Sequence, residues 1–334
     1  MEYSIKQKIY EREDAFLSKY AVKSKDTKGR ATKEEPCSMR TDFQRDRDRI
    51  IYSKAFIRLK NKTQVFFSPE GDHYMTRLTH TFDVCQIARS LARCLFLNED
   101  LAEAITLGHD LGHTPFGHAG ERALNLVSQT KFQHNEQSLR VVEVLENDFK
   151  GLNLTYEVKD GILNHKLSGN PFTLEGKCVS FADRIAYLNH DVEDAVRAGI
   201  ITKNSLPKIA TSVLGNSTRE RVNCLISSIV KESSNQNDIK ISSDVLEAMT
   251  ALREFMFEKV YFTDFAKLQE EKATNMISAM YNYFLKDVSK LPNAYKKLLD
   301  TYSKEQVICD YISSMTDRYA VSVFRSIFVP ENFS

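Results

Sequence analysis

The chain has 334 residues, 42% hydrophobic and 27% charged, which is enough for a sizeable core in one large domain or two. The formal net charge of +1 excludes a global field that would attract nucleic acid or a membrane surface. We expect a cytoplasmic protein, because the cysteines form no CxxC pair, the charged N-terminal stretch lacks a signal-peptide core, and no apolar run has membrane-spanning length.

Helical periodicity dominates the chain in order, and no alternating pattern predicts a strand. Residues 1–39 are expected to hold a short helix and a polar loop, which could be mobile without a ligand. Residues 40–200 carry the chemistry, and residues 201–334 form a helical C-terminal region packed on that core. Apolar spacing predicts helices over 2–20, 79–96, 99–111, 120–128, 136–147, 156–166, 178–199, 205–214, 217–231, 242–260, 263–286, 292–301 and 304–328.

Basic residues crowd the stretch from residue 40 to 62, in a chain whose total charge is balanced. Taken singly, each is expected to be solvated, since Lys and Arg side chains are mostly exposed. As a group they predict a local cationic patch that can meet a polyphosphate. They are Arg40, Arg45, Arg47, Arg49, Lys54, Arg58, Lys60 and Lys62.

Histidines concentrate between Arg77 and Ser138, where His109 is followed directly by Asp110. Imidazole and carboxylate groups are ligands of borderline and hard divalent metals. His80, His109-Asp110 and Asp183 lie on three predicted helices. Together they would make a mixed nitrogen and oxygen site with open positions for water and phosphate oxygens.

Longer strings around these residues resemble a known family. THT around His80, HDLGHTPFGHAGE from His109, HNEQSLRVVE from His134 and FADRIAYLNHD from Phe181 are similar to the deoxyguanosinetriphosphate triphosphohydrolase family of HD-domain phosphohydrolases. The similarity spans roughly residues 40–200. It implies an all-α fold, an HD-domain helical bundle with additional C-terminal helices. The family hydrolyses a deoxynucleoside triphosphate (dNTP) at the α-phosphate and releases the deoxynucleoside and intact triphosphate.

The resemblance also implies roles for individual residues. One divalent cation per site (magnesium, manganese or another transition metal) would be bound by His80, His109, Asp110 and Asp183. The catalytic residues beside the scissile bond would be His113, Glu121 and His134, with the general acid and general base unassigned. Phosphate oxygens would be bound by Arg58, Lys60, Arg77 and His118. The family positions near the sugar are matched by Gln64, Tyr187 and Asp191.

The chain departs from the family pattern at two places. Ile57 stands where the family often has an arginine, as does Met75, so one or two phosphate contacts are expected to be lost or replaced. His73, His165 and His190 are expected to be structural. His165 matters most, because related two-metal HD enzymes use extra histidines in this part of the chain.

The expected partners are a dNTP substrate and further copies of the chain in a homo-oligomer, and a second nucleotide as activator stays open. Neither a membrane nor a nucleic acid is indicated. One alternative is an HD enzyme of another substrate class, a 5′-nucleotidase or cyclic-nucleotide phosphodiesterase. A second alternative is a slow dNTP-binding sensor. The complete set of candidate metal ligands and catalytic residues argues against it. The C-terminal third shows no catalytic clustering, so packing and oligomer contacts are its preferred interpretation.

Overall fold

The computed structural model describes residues 5–64, 75–261 and 264–330. These residues form helices and no β-sheet, which confirms the all-α prediction. The two isolated bridges in these ranges join Arg30 to Thr155 and Thr63 to Thr76. No described helix combines the length and the apolarity that a membrane crossing needs. His73 lies outside the described residues.

The helices follow one another with short connections. The first ten are α1 (Ile5–Phe16), α2 (Asp42–Ile51), α3 (Lys54–Arg58), α4 (Arg77–Cys94), α5 (Glu99–Gly108), α6 (His118–Val127), α7 (His134–Arg140), the single turn α8 (Glu146–Phe149), α9 (Tyr156–Leu163) and α10 (Leu174–Arg197). The remainder are α11 (Lys208–Leu214), α12 (Thr218–Ser233), α13 (Ser243–Met256), α14 (Asp264–Lys286), α15 (Asn293–Lys296), α16 (Lys304–Ser313) and α17 (Asp317–Phe328).

Capping residues fix where the central helices begin. α4 begins earlier than the apolar spacing predicted, because Thr76 and Thr79 form a reciprocal capping box. Asn98 caps α5 as predicted, and its Oδ1 accepts from the backbone N–H groups of Asp100 and Leu101 at 3.1 and 3.3 Å. Since each cap satisfies backbone donors at a helix start, it sets the register of the residues that follow.

The larger hydrophobic core surrounds the packed helices α4, α5 and α10. Val84, Leu101 and Ile185 are fully buried there, and each buried aliphatic side chain of this kind stabilises the fold by about 1.5–3 kcal/mol. Gly108 at the end of α5 permits the close approach of α9, since a Cβ at this position would lie 2.4 Å from Cδ1 of Ile162. The helices that carry the histidine-rich residues are therefore rigidly packed.

A second core joins α6 to the C-terminal helices α14, α16 and α17. The prediction of one helix over 304–328 is wrong, because the chain breaks between Ser313 and Asp317. Thr316 caps the second piece, and its hydroxyl accepts from the backbone N–H of Tyr319 at 3.3 Å. After this break, Asp317, the first residue of α17, contacts Thr63 and Phe116. The division at residue 200 stays a prediction.

The polar loop over 21–39 is bound to the helical core by buried ion pairs and hydrogen bonds. Arg30 forms an ion pair with Asp46, a fully buried residue of α2. Glu157 accepts from the hydroxyl of Thr27 at 2.8 Å and from the backbone N–H of Lys28 at 2.7 Å. The loop is thus anchored to the helical core at several points.

Candidate active site

Three segments bring two imidazoles and two carboxylates together. His80 comes from α4, Asp183 from α10, and His109 with Asp110 from the turn after α5. Nε2 of His80 lies 3.1 Å from Oδ1 of Asp183 and 4.0 Å from Oδ2 of Asp110. The His80, His109 and Asp110 side chains are almost completely buried, whereas that of Asp183 is 25% exposed. Asp183 is therefore the member nearest to solvent.

His109 is oriented as a metal ligand needs to be. Its Nδ1–H donates to the carbonyl of Thr106 at 2.6 Å, which leaves the lone pair on Nε2. Among the described residues this buried Nε2 has no hydrogen-bond partner, and it lies 3.4 Å from Asp110 and 3.9 Å from Asp183. A buried acceptor that faces two carboxylates is unfavourable by itself. The donor set therefore fits a divalent cation.

Asp110 sits among positively polarised groups. Nη1 of Arg77 donates to its Oδ2 at 2.8 Å, and Nε2 of His113 lies 3.1 Å from its Oδ1. Burial would raise the pKa of Asp110, but the charge of Arg77 and the hydrogen bond from His113 hold that pKa well below its ordinary value. The carboxylate is therefore an anion at neutral pH.

A glycine contact brings α7 against the turn after α5. Ser138 donates from Oγ to the carbonyl of His109 at 2.7 Å and accepts from the N–H of Gly112 at 2.9 Å. A Cβ at Gly112 would lie 2.2 Å from the backbone nitrogen of Ser138 and 2.5 Å from the carbonyl oxygen of His134. The close approach lets the rings of His113 and His134 stack with centroids 4.1 Å apart.

Glu121 fixes the orientation of two histidines. Its Oε2 lies 3.0 Å from Nδ1 of His134 and 3.3 Å from Nδ1 of His118. Burial opposes ionisation, but hydrogen bonds from both rings bring the pKa of Glu121 well below its ordinary value. Because an ionised carboxylate only accepts hydrogen bonds, Nδ1 of His134 carries a proton and Nε2 has the lone pair. Burial lowers the pKa of His134, so this ring is neutral and can accept a proton at Nε2.

Two further histidines lie at the edge of this group. The ring of His165 is 5.1 Å from that of His109, and its Nδ1 lies 2.8 Å from the carbonyl oxygen of Ile162. Burial lowers the pKa of His165 to about 3. His190 pairs with Asp83 of α4. Each ring lies beside a metal-ligand candidate, His165 beside His109 and His190 beside His80, and their expected structural role stays a prediction.

The residues predicted to bind phosphate oxygens divide into two groups. Arg77 bonds to Asp110, and His118, 64% exposed, lies at the start of α6 beside the stacked rings. Arg58 instead donates from Nη1 at 3.1 Å to a carbonyl in the link between α16 and α17, and Lys60 is exposed. The structure thus brings two of the four candidates to the histidine group.

Arg40 and the basic residues of α2 bind acidic neighbours instead of forming a cationic patch. Alternating arginines and aspartates along this helix neutralise each other, and Glu34 of the polar loop adds a further carboxylate. The ion pairs are Arg40–Asp48, Arg45–Glu34, Arg47–Asp48, Arg47–Glu103 and Arg49–Glu34. The prediction of a polyphosphate-binding patch is therefore wrong for α2.

Two of the three candidates for the sugar contact, Tyr187 and Asp191, lie one turn apart on α10. Asp191 is 2% exposed and accepts a hydrogen bond from the hydroxyl of Tyr261, and burial raises the pKa of Asp191 to about 7. Tyr187 lies within hydrogen-bond reach of Arg253. Tyr261 and Arg253 belong to the C-terminal third, where helical periodicity gave no sign of a site.

The remaining residues are Gln64, which was predicted, and two supporting residues that the sequence analysis missed. Oε1 of Gln64, a predicted sugar contact, is buried and lacks a hydrogen-bond partner within the described ranges. Its carbonyl oxygen lies near Gly117, where a Cβ would approach it to 3.3 Å. Thr106 and Ser138 act through a backbone carbonyl and a hydroxyl, and no motif or spacing marks such contacts.

Comparison with known families gives two matches on this chain. The model of the HD domain matches residues 77–188, which hold the four metal-ligand candidates and the histidine group. The model of the phosphohydrolase-associated domain matches residues 239–326.

Curated relatives cover nearly the whole chain. A deoxyguanosinetriphosphate triphosphohydrolase-like protein of Caldanaerobacter subterraneus is 53% identical over 96% of this chain and 94% of its own length. A protein of the same name from Desulfatibacillum aliphaticivorans is 44% identical over 98% of this chain and 99% of its own length. A phosphohydrolase crystal structure from Bacteroides thetaiotaomicron shares the fold, with a TM-score of 0.54, 16% identity, and coverage of 84% of this chain and 68% of its own.

Proposed function

Because the chain belongs to the deoxyguanosinetriphosphate triphosphohydrolase-like proteins and carries their HD domain, we propose that it hydrolyses deoxynucleoside triphosphates to a deoxynucleoside and inorganic triphosphate. The substrate would be dGTP or several dNTPs. Membership of this family supports the broader statement of a metal-dependent phosphohydrolase that acts on nucleotides.

One observation carries the proposal: the metal-ligand candidates and the proton-handling residues share Asp110. One oxygen of this carboxylate lies 3.4 Å from Nε2 of His109 and 3.1 Å from Nε2 of His113. His113 in turn stacks on His134. Hydrolysis of a phosphoester at a cation needs a charge-stabilising site and a proton-transfer group side by side.

Each group of residues in the site has its own role in the proposed reaction. His80, His109, Asp110 and Asp183 would hold the divalent cation, which supplies positive charge that polarises the α-phosphate. His134, oriented by Glu121, exchanges a proton at Nε2 with a reacting oxygen. His113 holds the stacked ring in place and connects it to Asp110. Arg77 and His118 bind phosphate oxygens, where the planar guanidinium of Arg77 can donate to two of them.

Gln64 and two residues of α10, Tyr187 and Asp191, would select the deoxyribose. Gln64 and Asp191 bind the sugar, and the Asp191 carboxylate is already held by Tyr261. The ring of Tyr187 packs against C2′, so a 2′-hydroxyl would clash with it. The expected result is a preference for deoxynucleotides over ribonucleotides.

Product analysis tests the proposal directly. The purified protein is incubated with each of the four dNTPs and with GTP, in Mn²⁺ or Mg²⁺, and the products are separated. Deoxynucleoside plus intact triphosphate supports the proposed reaction and ranks the bases. Orthophosphate or a nucleoside monophosphate would move the protein to another class of HD enzyme. No product, even with mixed nucleotides present as activators, would favour a nucleotide-binding sensor.

The oligomeric state and nucleotide activation are proposals of the same kind. We propose that the protein forms a homo-oligomer, and light scattering on the purified protein measures its mass. A second nucleotide that raises the turnover of the first would show activation. A monomer with no response to mixed nucleotides would contradict both.

A further inference from the structure

The segment from His113 to His118, called the catalytic loop below, has an unusual backbone. Phe116 has a φ of +61° and Gly117 a φ of +55°. A phenylalanine in this left-handed region costs roughly 1–2 kcal/mol relative to ordinary helix geometry. Contacts from outside the loop must therefore hold it in place.

Asp317, the first residue of α17, supplies one such contact. Its side chain is buried, and Oδ1 accepts from the backbone N–H of Phe116 at 3.0 Å. Oδ2 accepts from the backbone N–H of Thr63 at 3.0 Å and from the Thr63 hydroxyl at 2.7 Å. Hydrogen bonds to a charged acceptor contribute about 1.5–3 kcal/mol each. The carboxylate thus joins a C-terminal helix to the loop and to the segment after α3.

Lys62 makes the second contact, at the other end of the loop. It is 2% exposed, and its ammonium donates to the carbonyls of His113 and Ser313, the latter at 2.8 Å. Burial lowers the pKa of Lys62 to about 7, with a further contribution from Arg58. Burying an ammonium group costs free energy, and hydrogen bonds to carbonyls that would otherwise be unpaired offset that cost. Here it joins the end of α16 to the start of the catalytic loop.

We propose that Asp317 and Lys62 are positioning residues that fix the catalytic loop, so that the C-terminal helices complete the active site. The inference rests on the proposed function, in which His113 supports the proton-transferring ring of His134 and His118 is a phosphate contact. It also assigns a contact between the two matched domains. Residues 239–326, matched by the phosphohydrolase-associated domain, include Asp317 and Ser313, while the loop lies in the HD domain.

The expected kinetic effect follows from which groups the loop carries. The four metal-ligand candidates and two of the three sugar contacts lie on α4, α10 and the turn after α5, so loosening the loop leaves them in place. His113 and His118 would move relative to the reacting phosphate. A displacement of about 1 Å can cost about 100-fold in rate. A lower kcat with little change in KM is therefore the signature of lost positioning.

The test uses the full chain with Asp317→Ala and Asp317→Asn. Hydrogen–deuterium exchange measured by mass spectrometry follows peptides that cover residues 113–118, and dNTP turnover and bound metal are measured on the same samples. Exchange in the loop should rise, and kcat should fall about 10-fold to 100-fold. KM and metal content should stay within about twofold of the wild type. The Asn variant keeps one acceptor, so it should lie between the wild type and the Ala variant.

A matched control exists on α2. Asp46 is fully buried and accepts from the backbone N–H and hydroxyl of Thr155 at 2.8 and 2.7 Å, which repeats the Asp317–Thr63 contact outside the loop. Asp46→Asn should lower the unfolding temperature and leave loop exchange and kcat unchanged. If Asp46→Asn lowers kcat as much as Asp317→Asn does, general loosening explains the loss and the proposal is overturned.

Unchanged hydrogen–deuterium exchange of the catalytic loop in the Asp317 variants would also overturn the proposal. If Asp317→Ala does not fold, the Asn variant decides by the same readouts. If the wild type hydrolyses no dNTP, the proposed function fails separately. Loop exchange in the Asp317 variants then decides alone whether the C-terminal helices hold the loop.

Discussion

At the scale of single residues, hydrogen bonds to Nδ1 decide what each histidine can do. The Thr106 carbonyl holds Nδ1–H of His109, and the Glu121 carboxylate holds Nδ1–H of His134. Both rings therefore present a lone pair at Nε2, one toward the carboxylates and one for proton exchange. One tautomer serves two kinds of chemistry because the surroundings of Nε2 differ.

His109→Ala should remove bound metal and turnover together. The variant loses the buried nitrogen that faces Asp110 and Asp183, so the remaining groups bind a cation weakly. Metal content by elemental analysis and dNTP turnover measure the two effects. His134→Ala is the control of equal size, and it should keep its metal but lose turnover. Wild-type metal content in His109→Ala would mean that the ligand assignment is wrong.

Glu121→Gln should lower kcat by about 100-fold or more, the range of a lost acid–base contribution. The amide cannot stabilise a protonated His134 as the carboxylate does. In a His134→Ala background the same change should have a much smaller further effect, exerted through His118, because proton transfer depends on Glu121 through the His134 ring. Steady-state kinetics of the two single variants and the double variant measure this. Losses that multiply would show that Glu121 acts independently.

The residues of this site were largely predictable, but their orientation was not. His80, His109, Asp110 and Asp183 stand in short recognisable strings, so the sequence indicated them by spacing and resemblance. The tautomer of His109 depends on a backbone carbonyl one turn earlier, which no side-chain pattern reports. For the same reason the buried lone pair on Nε2 is visible only in the structure.

At the scale of helices, the contact between α7 and the turn after α5 sets the geometry of the stacked rings. Gly112 meets the backbone of α7, where neighbouring atoms have little freedom to move, instead of flexible side-chain ends. The position of His134 is therefore coupled to the packing of the whole helix.

Gly112→Ala should destabilise the protein by about 1–3 kcal/mol and lower turnover by displacing His134. Thermal unfolding and steady-state kinetics measure the two effects. Gly199→Ala is the control, because a Cβ there meets nothing within 4 Å and adds only the strain of a φ of +69°. The control should lose some stability and keep its turnover. Equal turnover in the two variants would argue against the coupling.

Helix positions were predicted better than the contacts between helices. Apolar spacing located α4, α5 and α10 with errors confined to their ends, since caps such as Thr76 lie outside the apolar pattern. The break before α17 was missed because helical periodicity continues across it, although Thr316 caps the new helix. Asp317 and Tyr261 carry no local motif, so their contacts with distant segments could not be derived from the sequence.

At the scale of the whole molecule, a buried acid joins the N-terminal segment to the core. Glu175, near the start of α10, is fully buried, and its Oε1 accepts from the backbone N–H groups of Val22 and Asn98 at 3.0 Å each. Its Oε2 has no partner among the described residues. Burial, with a smaller contribution from Glu13, raises the pKa of Glu175 to about 7.

Stability should therefore fall as the pH rises from about 4.5 to about 7. In that window the folded chain keeps the Glu175 proton and the unfolded chain loses it, so the free energy of unfolding decreases by up to about 1.4 kcal/mol per pH unit. Glu175→Gln cannot ionise and should flatten this dependence. Urea unfolding of both proteins at pH 5, 6, 7 and 8 measures it. Parallel curves would exclude Glu175 as the source.

The arrangement of the metal-ligand candidates has a consequence for how fast the folded chain unfolds. His80 and Asp183 are 103 residues apart, yet a single cation would bind both. Such an ion binds the folded chain and not the unfolded one, in which these ligands are far apart, so it opposes unfolding by the free energy of its binding. It can enter only after α4, α5 and α10 have packed, so it would slow the return to the unfolded state more than it speeds folding. The same ion would then govern both turnover and resistance to proteolysis, and a chelator would shorten the lifetime of the folded protein along with its activity.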